Sequence, residues 1–428
     1  MSERPDYHGL SVEQGFERML ELLEPGPITR ERVPLEAAVG RVLAEAPRSR
    51  WPLPTAATSI MDGYALRSED LIRARRLEAE TLALELAGES SAGHPSSLEL
   101  EPGSCLRIAT GAVVPAGADA VVPQEDTRLI ELGARTLVEF NAAALKQAAP
   151  GRWVRPAGSD VGDDELLLEP GTVLSSGCVS LLAAAGHAQL ELAARPRVAI
   201  LSSGDELLRI GETPGPGQIV GTNAMMLAAE IRAAGGEPLE LGAVADTHEA
   251  MRGAIARAMS EADLLVCSGG ISVGDHDLVL PSLQHFGFEL GFRKLSLRPG
   301  RPTTFGHLPR ADSARKLPVL ALPGNPASTL VTFELFARTA IRVLLGLPRR
   351  RWRRPWRQIE LAAPVRGEAT RTHFVRARFE PDGRVSPLDK QQSGALRSIA
   401  SFELLVRVPA GQTQVAAGER LDALILRE

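Results

Sequence analysis

Apolar positions along this chain recur at helical spacing in some stretches and at alternate residues in others, and the changes between the two mark its parts. Ser11 and Gln14 stand at capping-box spacing, and Val12, Phe16, Met19, Leu20 and Leu23 follow at intervals of three and four until Pro25, which predicts a helix over 11–23. A second helix is expected over 34–46 (PLEAAVGRVLAEA). From Trp51 to about Phe140 the period shortens to two, as in Leu82-Ala83-Leu84-Glu85-Leu86 and Leu98-Glu99-Leu100, with Gly and Pro between the runs. That texture predicts an antiparallel β module inserted over 51–145. Helical texture returns at 175–185, so 1–50 and 146–190 read as one discontinuous N-terminal domain whose halves flank the module.

Beyond Arg195 the pattern becomes strand, loop, helix, repeated. Strands are expected at Val198–Leu201, Leu239–Val244, Leu264–Cys267 and Val319–Leu322. Helices are expected from Asn223 to Ala234 with Gly235-Gly236 as the stop, from the cap Thr247 through Met251 and Ile255, and from Pro326 through Leu345. Apolar strands alternating with helices imply a parallel sheet covered on both faces, a three-layer α/β domain over 191–347. After the basic stretch Arg349–Arg357, read as a solvated linker, the runs IELAAPV, THFVRARFEPDGRV, SFELLVRV and LDALILR predict a terminal β barrel over 348–428, with EPDGR as a hairpin turn.

Composition narrows the function classes. The chain has 428 residues, 44% hydrophobic but only 4% aromatic, so its cores must be built from aliphatic side chains. A net charge of -5 argues against a nucleic-acid binder, which needs a broad positive face. No run of 18 apolar residues suggests a membrane span, and MSERPDYHGL has no apolar signal core, so a cytoplasmic setting is expected. Cys105, Cys178 and Cys267 form no CxxC pair and read as small buried hydrophobes. Scattered histidines and the absence of GxSxG and HExxH suggest neither a catalytic triad nor a zinc hydrolase.

The main chemical signal is three strand-end loops in one sheet, SSGDE, CSGGISVG and LPGNP. Ligands of open α/β sheets bind beyond the carboxyl ends of the strands, and small residues let backbone N–H groups approach a phosphate. Ser203, Gly204 and Asp205, then Ser268, Gly269, Gly270, Ser272 and Gly274, then Pro323, Gly324, Asn325 and Pro326 are therefore the substrate-binding candidates. None of the loops is a Walker loop or GxGxxG. Acidic residues accompany them: Asp205 and Glu206, Asp246, and Asp275 with Asp277. Carboxylates beside a phosphate cradle make sense if Mg²⁺ intervenes; helix capping is the alternative for Asp205 and Asp275. In an extended segment Lys294, Ser296 and Arg298 share one face, with Arg301 beyond a Pro-Gly turn, and next to three anion loops this suggests a second oxyanion pocket. Asp62-Gly63 and Thr110-Gly111 are compatible with plain turns.

Taken together, TSIMDGYALR, CLRIATGAVVPAGADAVV, RPAGSDVGDD, LSSGDEL, VCSGGISVGDHD, LRPGRPTTFG and LPGNP resemble the MoeA-type molybdopterin molybdenumtransferases, relatives of the gephyrin E domain, over essentially the whole chain. The resemblance implies the last step of molybdenum cofactor synthesis: adenylylated molybdopterin binds, its phosphoanhydride is cleaved with release of AMP, and molybdate is inserted at the dithiolene. It implies Mg²⁺ dependence and an elongated homodimer with the active site between the α/β domain of one subunit and the β module of the other. Further partners implied are the adenylyltransferase of the same pathway and apo-molybdoenzymes, with no nucleic acid and no membrane. The family's functional acidic and hydroxyl positions fall on Asp62, Thr110, Asp160, Glu206, Asp246 and Asp277, of which Glu206, Asp246 and Asp277 would organise the metal. Its molybdate-side positions fall on Lys294, Arg298, Arg301 and Ser328, with Arg371 and Ser398 facing the same cleft.

The chain departs from the family pattern at Ala57-Thr58, where Asp-Asn is usual, at Thr247 after Asp246, at Arg298 and Arg301 in place of lysines, and at Phe402-Glu403 in place of Ala-Asn. Three rival readings remain: a scaffold or weakly active molybdopterin-binding protein of the same fold, as in gephyrin's receptor clustering, a tungstate-inserting variant, or another nucleotide-processing enzyme on the same α/β module, which would leave MDGYA unexplained. Retention of Glu206, Asp246 and Asp277 favours the enzyme.

Overall fold

The computed structural model describes residues 8–23, 28–270, 278–310 and 313–426, which form two compact units, 32–190 and 1–31 with 191–428. Among the described residues no helix is long and apolar enough to cross a membrane.

In the unit over 32–190, a six-stranded sheet runs in the order Ala120–Pro123, Gly63–Leu66, Ser104–Ile108, Leu82–Ser90, Arg135–Phe140, Thr127–Leu132. Its neighbours are antiparallel except Leu82–Ser90 with Ser104–Ile108, which are parallel because the 91–103 connection carries the chain back along the sheet. Tyr64, Leu66, Leu84, Val138 and Phe140 are buried under Leu71 and Ala74 of the helix Ser68–Arg76 and Leu145 of the helix Ala142–Gln147. Gly63 is required where two strands close: a Cβ there would stand 2.0 Å from the Val122 carbonyl oxygen.

The helix expected over 34–46 does not form. Leu35–Ala37 is a single 3-10 turn, Gly40 turns the chain at φ 79, and Val42 bridges Val173. Gly40 and the β-branched Val39 and Val42 make a poor helix, and the backbone finds non-local partners instead, with Leu43 N donating to Thr172 O at 2.9 Å and Leu174 N to Arg41 O at 2.9 Å. The helix expected over 175–185 is observed as Ser176–Ala184, with Ser175 as its cap.

In the other unit, Val12–Leu22 is a helix whose capping box makes both hydrogen bonds, Gln14 N to Ser11 Oγ at 3.1 Å and Ser11 N to Gln14 Oε1 at 2.9 Å. Its α/β sheet has seven strands in the order His8–Leu10, Glu289–Leu295, Thr304–Arg310, Ser313–Leu322, Leu264–Ser268, Arg197–Ser203, Glu237–Val244. The last four pair in parallel, as expected, but Thr304–Arg310 is antiparallel to both its neighbours, so the sheet is mixed. A hairpin between Thr304–Arg310 and Ser313–Leu322 needs only a short turn, whereas a further parallel strand would need a crossover. The helix Asn223–Ala234 matches its predicted span and ends at Gly235, at φ 101. The single helix expected from Pro326 onward is Pro326–Thr332, a π-helical stretch Phe333–Ala337, and Arg338–Leu344.

The C-terminal sheet runs Leu297–Arg298, Thr372–Phe379, Leu404–Val408, Arg420–Ile425, Trp356–Glu360 around a core of Ile359, Val375, Val406 and Ala423. The EPDGR hairpin is present, with Glu380 N donating to Arg384 O at 2.8 Å. The stretch Arg349–Arg357 is not a solvated linker. Arg353 lies over the Phe16 ring, Arg349 pairs with Glu17, and Arg354 reaches the buried Glu334. Cys105 and Cys267 are buried, and burial pushes the Cys105 thiol up to about 12. Cys178 departs from the expectation: it is half-buried, and the Ser175 hydroxyl that donates to its sulfur holds the thiol below its usual value.

Candidate functional site

Strand register sets the first half of the site. Leu201 stands beside Cys267 and Cys267 beside Ala321, so the loops at Ser203, Gly269 and Pro323 leave one edge of the sheet together. The loops touch: a Cβ on Gly324 would lie 3.3 Å from Gly269 Cα, and Gly270, at φ 64, leaves no room for one against Val279. The residues between the first loop and its helix form a wall in which Leu207–Leu208 pairs with Ile219–Val220. With the three loops this wall encloses a cavity of about 780 Å³, lined by Ser203, Glu206, Asn223, Ser268, Gly269 and Asn325 among others. Arg209 and Arg232 line it too, as do Ile210, Ile219 and Met225, large apolar side chains that remain exposed.

In the sequence, Asn223 reads only as the start of a helix. Its Nδ2 donates to Ser268 Oγ at 2.9 Å and to Gly324 O at 2.6 Å, tying the second loop to the third. Its buried Oδ1 has no hydrogen-bond partner among the described residues, which leaves an acceptor on the cavity lining. The detectable signal was an Asn at a helix start beyond an anion loop, but only the fold shows that both other loops lie within its reach.

The acidic candidates separate. Glu206 lines the cavity with its carboxylate folded over Gly204, where a Cβ would meet Glu206 Oε2 at 2.6 Å. Asp246 accepts from Asp205 N at 3.2 Å, which joins the first loop to the neighbouring strand end. Ser272, Gly274, Asp275 and Asp277 lie outside the described residues. Among the described residues no three His, Cys, Asp or Glu side chains are arranged to hold a metal ion.

In the unit over 32–190, the two turn motifs meet. Thr110 donates to Asp62 Oδ1 through its amide at 2.6 Å and its hydroxyl at 2.8 Å. These bonds, the amide first, hold the Asp62 carboxyl below the ordinary aspartate value. The Arg155-to-Asp160 segment reaches the same neighbourhood, since Val154–Arg155 pairs with Thr58–Ser59 and Asp160 pairs with Arg155 at 3.2 Å. A depressed carboxyl contributes stability above its unfolded pKa, and the contribution is lost as pH falls through the lower folded value. The Thr110 amide resonance is therefore expected to titrate with a midpoint below that of an ordinary aspartate, and Thr110→Val to raise the Asp62 midpoint. An unchanged midpoint in that variant would remove the hydroxyl's part.

Of the basic candidates, Arg298 and Arg371 meet at a second place, on Glu368. The single extended face expected for Lys294, Ser296 and Arg298 is interrupted, because Lys294 adopts φ 62 and the chain passes from one sheet to another. A non-glycine residue there is a local strain of the kind that collects at functional sites. Ser296 Oγ donates to Gly9 O at 2.9 Å, so its hydroxyl is engaged. Gly300, at φ 112, packs against Thr332, bringing the Arg298–Arg301 turn onto the helix that carries the buried Ser328. The helix Leu396–Ser401, with Ser398 buried, packs on that same helix, and Ala327 N donates to Ser393 O at 2.9 Å. Arg298 and Arg371 both bind Glu368, through Nη1 to Oε1 at 2.5 Å and Nε to Oε2 at 2.6 Å. Burial alone would raise the Glu368 carboxyl, but these two bonds outweigh it and hold the group below its usual value.

Three of the departures from the family pattern have structural roles. Thr247 caps a helix by accepting from Ala250 N, Phe402 is buried, and Glu403 Oε2 accepts from Phe379 N at 2.7 Å.

Three family models match the chain in order: "MoeA N-terminal region (domain I and II)" over residues 10–186, "Probable molybdopterin binding domain" over 199–343, and "MoeA C-terminal region (domain IV)" over 358–426. A protein of Nostoc named molybdopterin molybdenumtransferase is 35% identical over 402 residues, covering 93% of this chain and 88% of its own. One of the same name from Bacillus subtilis is 30% identical over 432 residues, covering 98% and 94%. Among solved structures, a molybdopterin biosynthesis MoeA protein from Pyrococcus horikosii superposes with a TM-score of 0.82 at 28% identity, covering 98% of this chain and all of its own.

Proposed function

The chain belongs to the MoeA family, and we propose that it is a molybdopterin molybdenumtransferase, inserting molybdate into adenylylated molybdopterin with release of AMP as the final step of molybdenum cofactor biosynthesis. The observation that carries this reading is the cavity walled by three small-residue loops in register, the second and third of which Asn223 ties together. Its backbone amides suit the phosphates of an anionic ligand, and its apolar rim of Ile210, Ile219 and Met225 suits a flat ring system.

Glu206 and Asp246 are carboxylates on adjacent strand-end loops, a donor set suited to Mg²⁺, which takes one or two carboxylates and leaves its other positions to phosphate and water. Asp277 is the third proposed ligand. Bound there, the ion would neutralise charge on the anhydride and polarise its phosphorus. The protein's own part is to hold the anhydride on the loops and to present molybdate from the cluster of Lys294, Arg298, Arg301, Ser328, Arg371 and Ser398. Asp62, Thr110 and Asp160 are proposed to serve the same reaction, and the chain to work as a homodimer, for which sedimentation velocity is the check.

Purified protein supplied with adenylylated molybdopterin, Mg²⁺ and molybdate is expected to release AMP only when molybdate is present. Molybdate-independent release, or none, overturns the reading. Asn223→Ala removes the tie between two loops and strands their polar partners, a loss of about 1–3 kcal/mol. The KM for adenylylated molybdopterin is expected to rise about five- to 100-fold, since each 1.4 kcal/mol is a factor of ten. A KM within twofold of the parent would show that the loops hold their places without Asn223.

A further inference from the structure

We propose that Glu368 is a built-in competitor for the oxyanion, occupying the guanidinium groups of Arg298 and Arg371 until a tetrahedral dianion displaces it. This rests on the assignment of those two arginines to the molybdate side of the proposed reaction.

The geometry is that of an occupied anion site. Each Glu368 oxygen takes one guanidinium, Oε1 from Arg298 and Oε2 from Arg371, so the carboxylate presents two oxygens to two donors as one edge of a tetrahedral oxyanion would. The carboxylate lies inside and the cations outside: the Glu368 side chain is 14% exposed, against 48% for Arg298 and 36% for Arg371. An incoming anion can therefore reach the arginines from solvent. The loop beneath Glu368 is fastened on both sides, with Gly367 N donating to Thr413 O and Gly411 N to Glu368 O, both at 3.0 Å. Gly367 leaves no room for a side chain, because a Cβ would meet Gln412 O at 2.1 Å. Displacement therefore falls to side-chain rotation of Glu368 and not to movement of its loop.

Charge gives the arrangement its consequence. Two guanidiniums and one carboxylate leave a net single positive charge, while the open pair carries two. A monoanion that replaces Glu368 gains no more from the arginines than the carboxylate already has, whereas a dianion such as molybdate does. Apparent affinity for any anion is reduced by the fraction of molecules in which the pair is open, so a pair open one-tenth of the time binds about tenfold more weakly than a permanently open one.

The test is titration of the full-length protein with molybdate, and separately with sulfate and nitrate, by calorimetry. Glu368→Gln is expected to lower the dissociation constant for molybdate by about five- to tenfold, by the same population arithmetic, and to let nitrate compete. Glu368→Asp, whose shorter arm reaches one arginine less well, should fall between the two and serves if the Gln variant does not fold. An unchanged or raised dissociation constant in both variants overturns the proposal and makes Glu368 a brace that orients the arginines. Arg371→Gln separates the two levels: if it leaves molybdate binding untouched, the assignment of this cluster fails, whatever Glu368 does.

Discussion

Glu206→Gln is expected to lower molybdate-dependent AMP release by on the order of 10²–10³-fold, the scale set by removing one pre-positioned electrostatic group from a water-poor site. The substitution keeps the side chain's length and its fit over Gly204, where the strand-end turn leaves space only because that residue has no Cβ. What it removes is the negative charge that Glu206 brings to the cavity lining. Loss of rate with an unchanged melting temperature, partly recovered by raising Mg²⁺, would place the effect on the metal. Undiminished turnover would remove Glu206 from the metal set while leaving the fold and the loops intact.

The second large effect concerns stability. Glu334→Ala is expected to destabilise the unit that contains it by about 3–5 kcal/mol, the usual consequence of removing one partner from a buried ion pair. The Glu334 side chain is 2% exposed and faces Arg338 at 3.6 Å, and Arg354 binds the same oxygen. Arg338 is itself 10% exposed, with Nε and Nη1 lacking hydrogen-bond partners among the described residues, and burial pushes its guanidinium below the usual arginine value. Without Glu334 that buried charge would keep Glu230 as a counter-charge but lose its ion-pair partner, with Arg354 still repelling it. The measurement is the urea midpoint of the variant against the parent. A shift under about 1 kcal/mol, the range of a surface pair, would show that water screens the cluster.

Much of the fold was legible in the chain because it rests on local rules. The capping box at Ser11 and Gln14, the Asn223–Ala234 helix with its left-handed glycine stop, and the EPDGR turn are encoded within a few residues. Where local rules compete with distant partners they failed. Residues 34–46 have helical spacing, but Gly40 and two β-branched neighbours weaken the helix, and strand-like bonds to Thr172 and Leu174 take its place. The arginine-rich stretch after Pro348 looked solvated because the carboxylates and ring that hold it, Glu17, Glu334 and Phe16, are far away in sequence.

The strand-end loops show the division most clearly. By itself the sequence determined that SSGDE, CSGGISVG and LPGNP end strands of one sheet and that small residues and carboxylates gather there, because strand period and turn chemistry are local. Only the tertiary structure decided that Asn223 fastens two of those loops, that Asp62 is held by Thr110, and that Arg298 and Arg371 share Glu368. The physical reason is that a hydrogen bond or ion pair depends on a few ångströms of separation, and strand register and chain crossings set that separation among residues tens of positions apart.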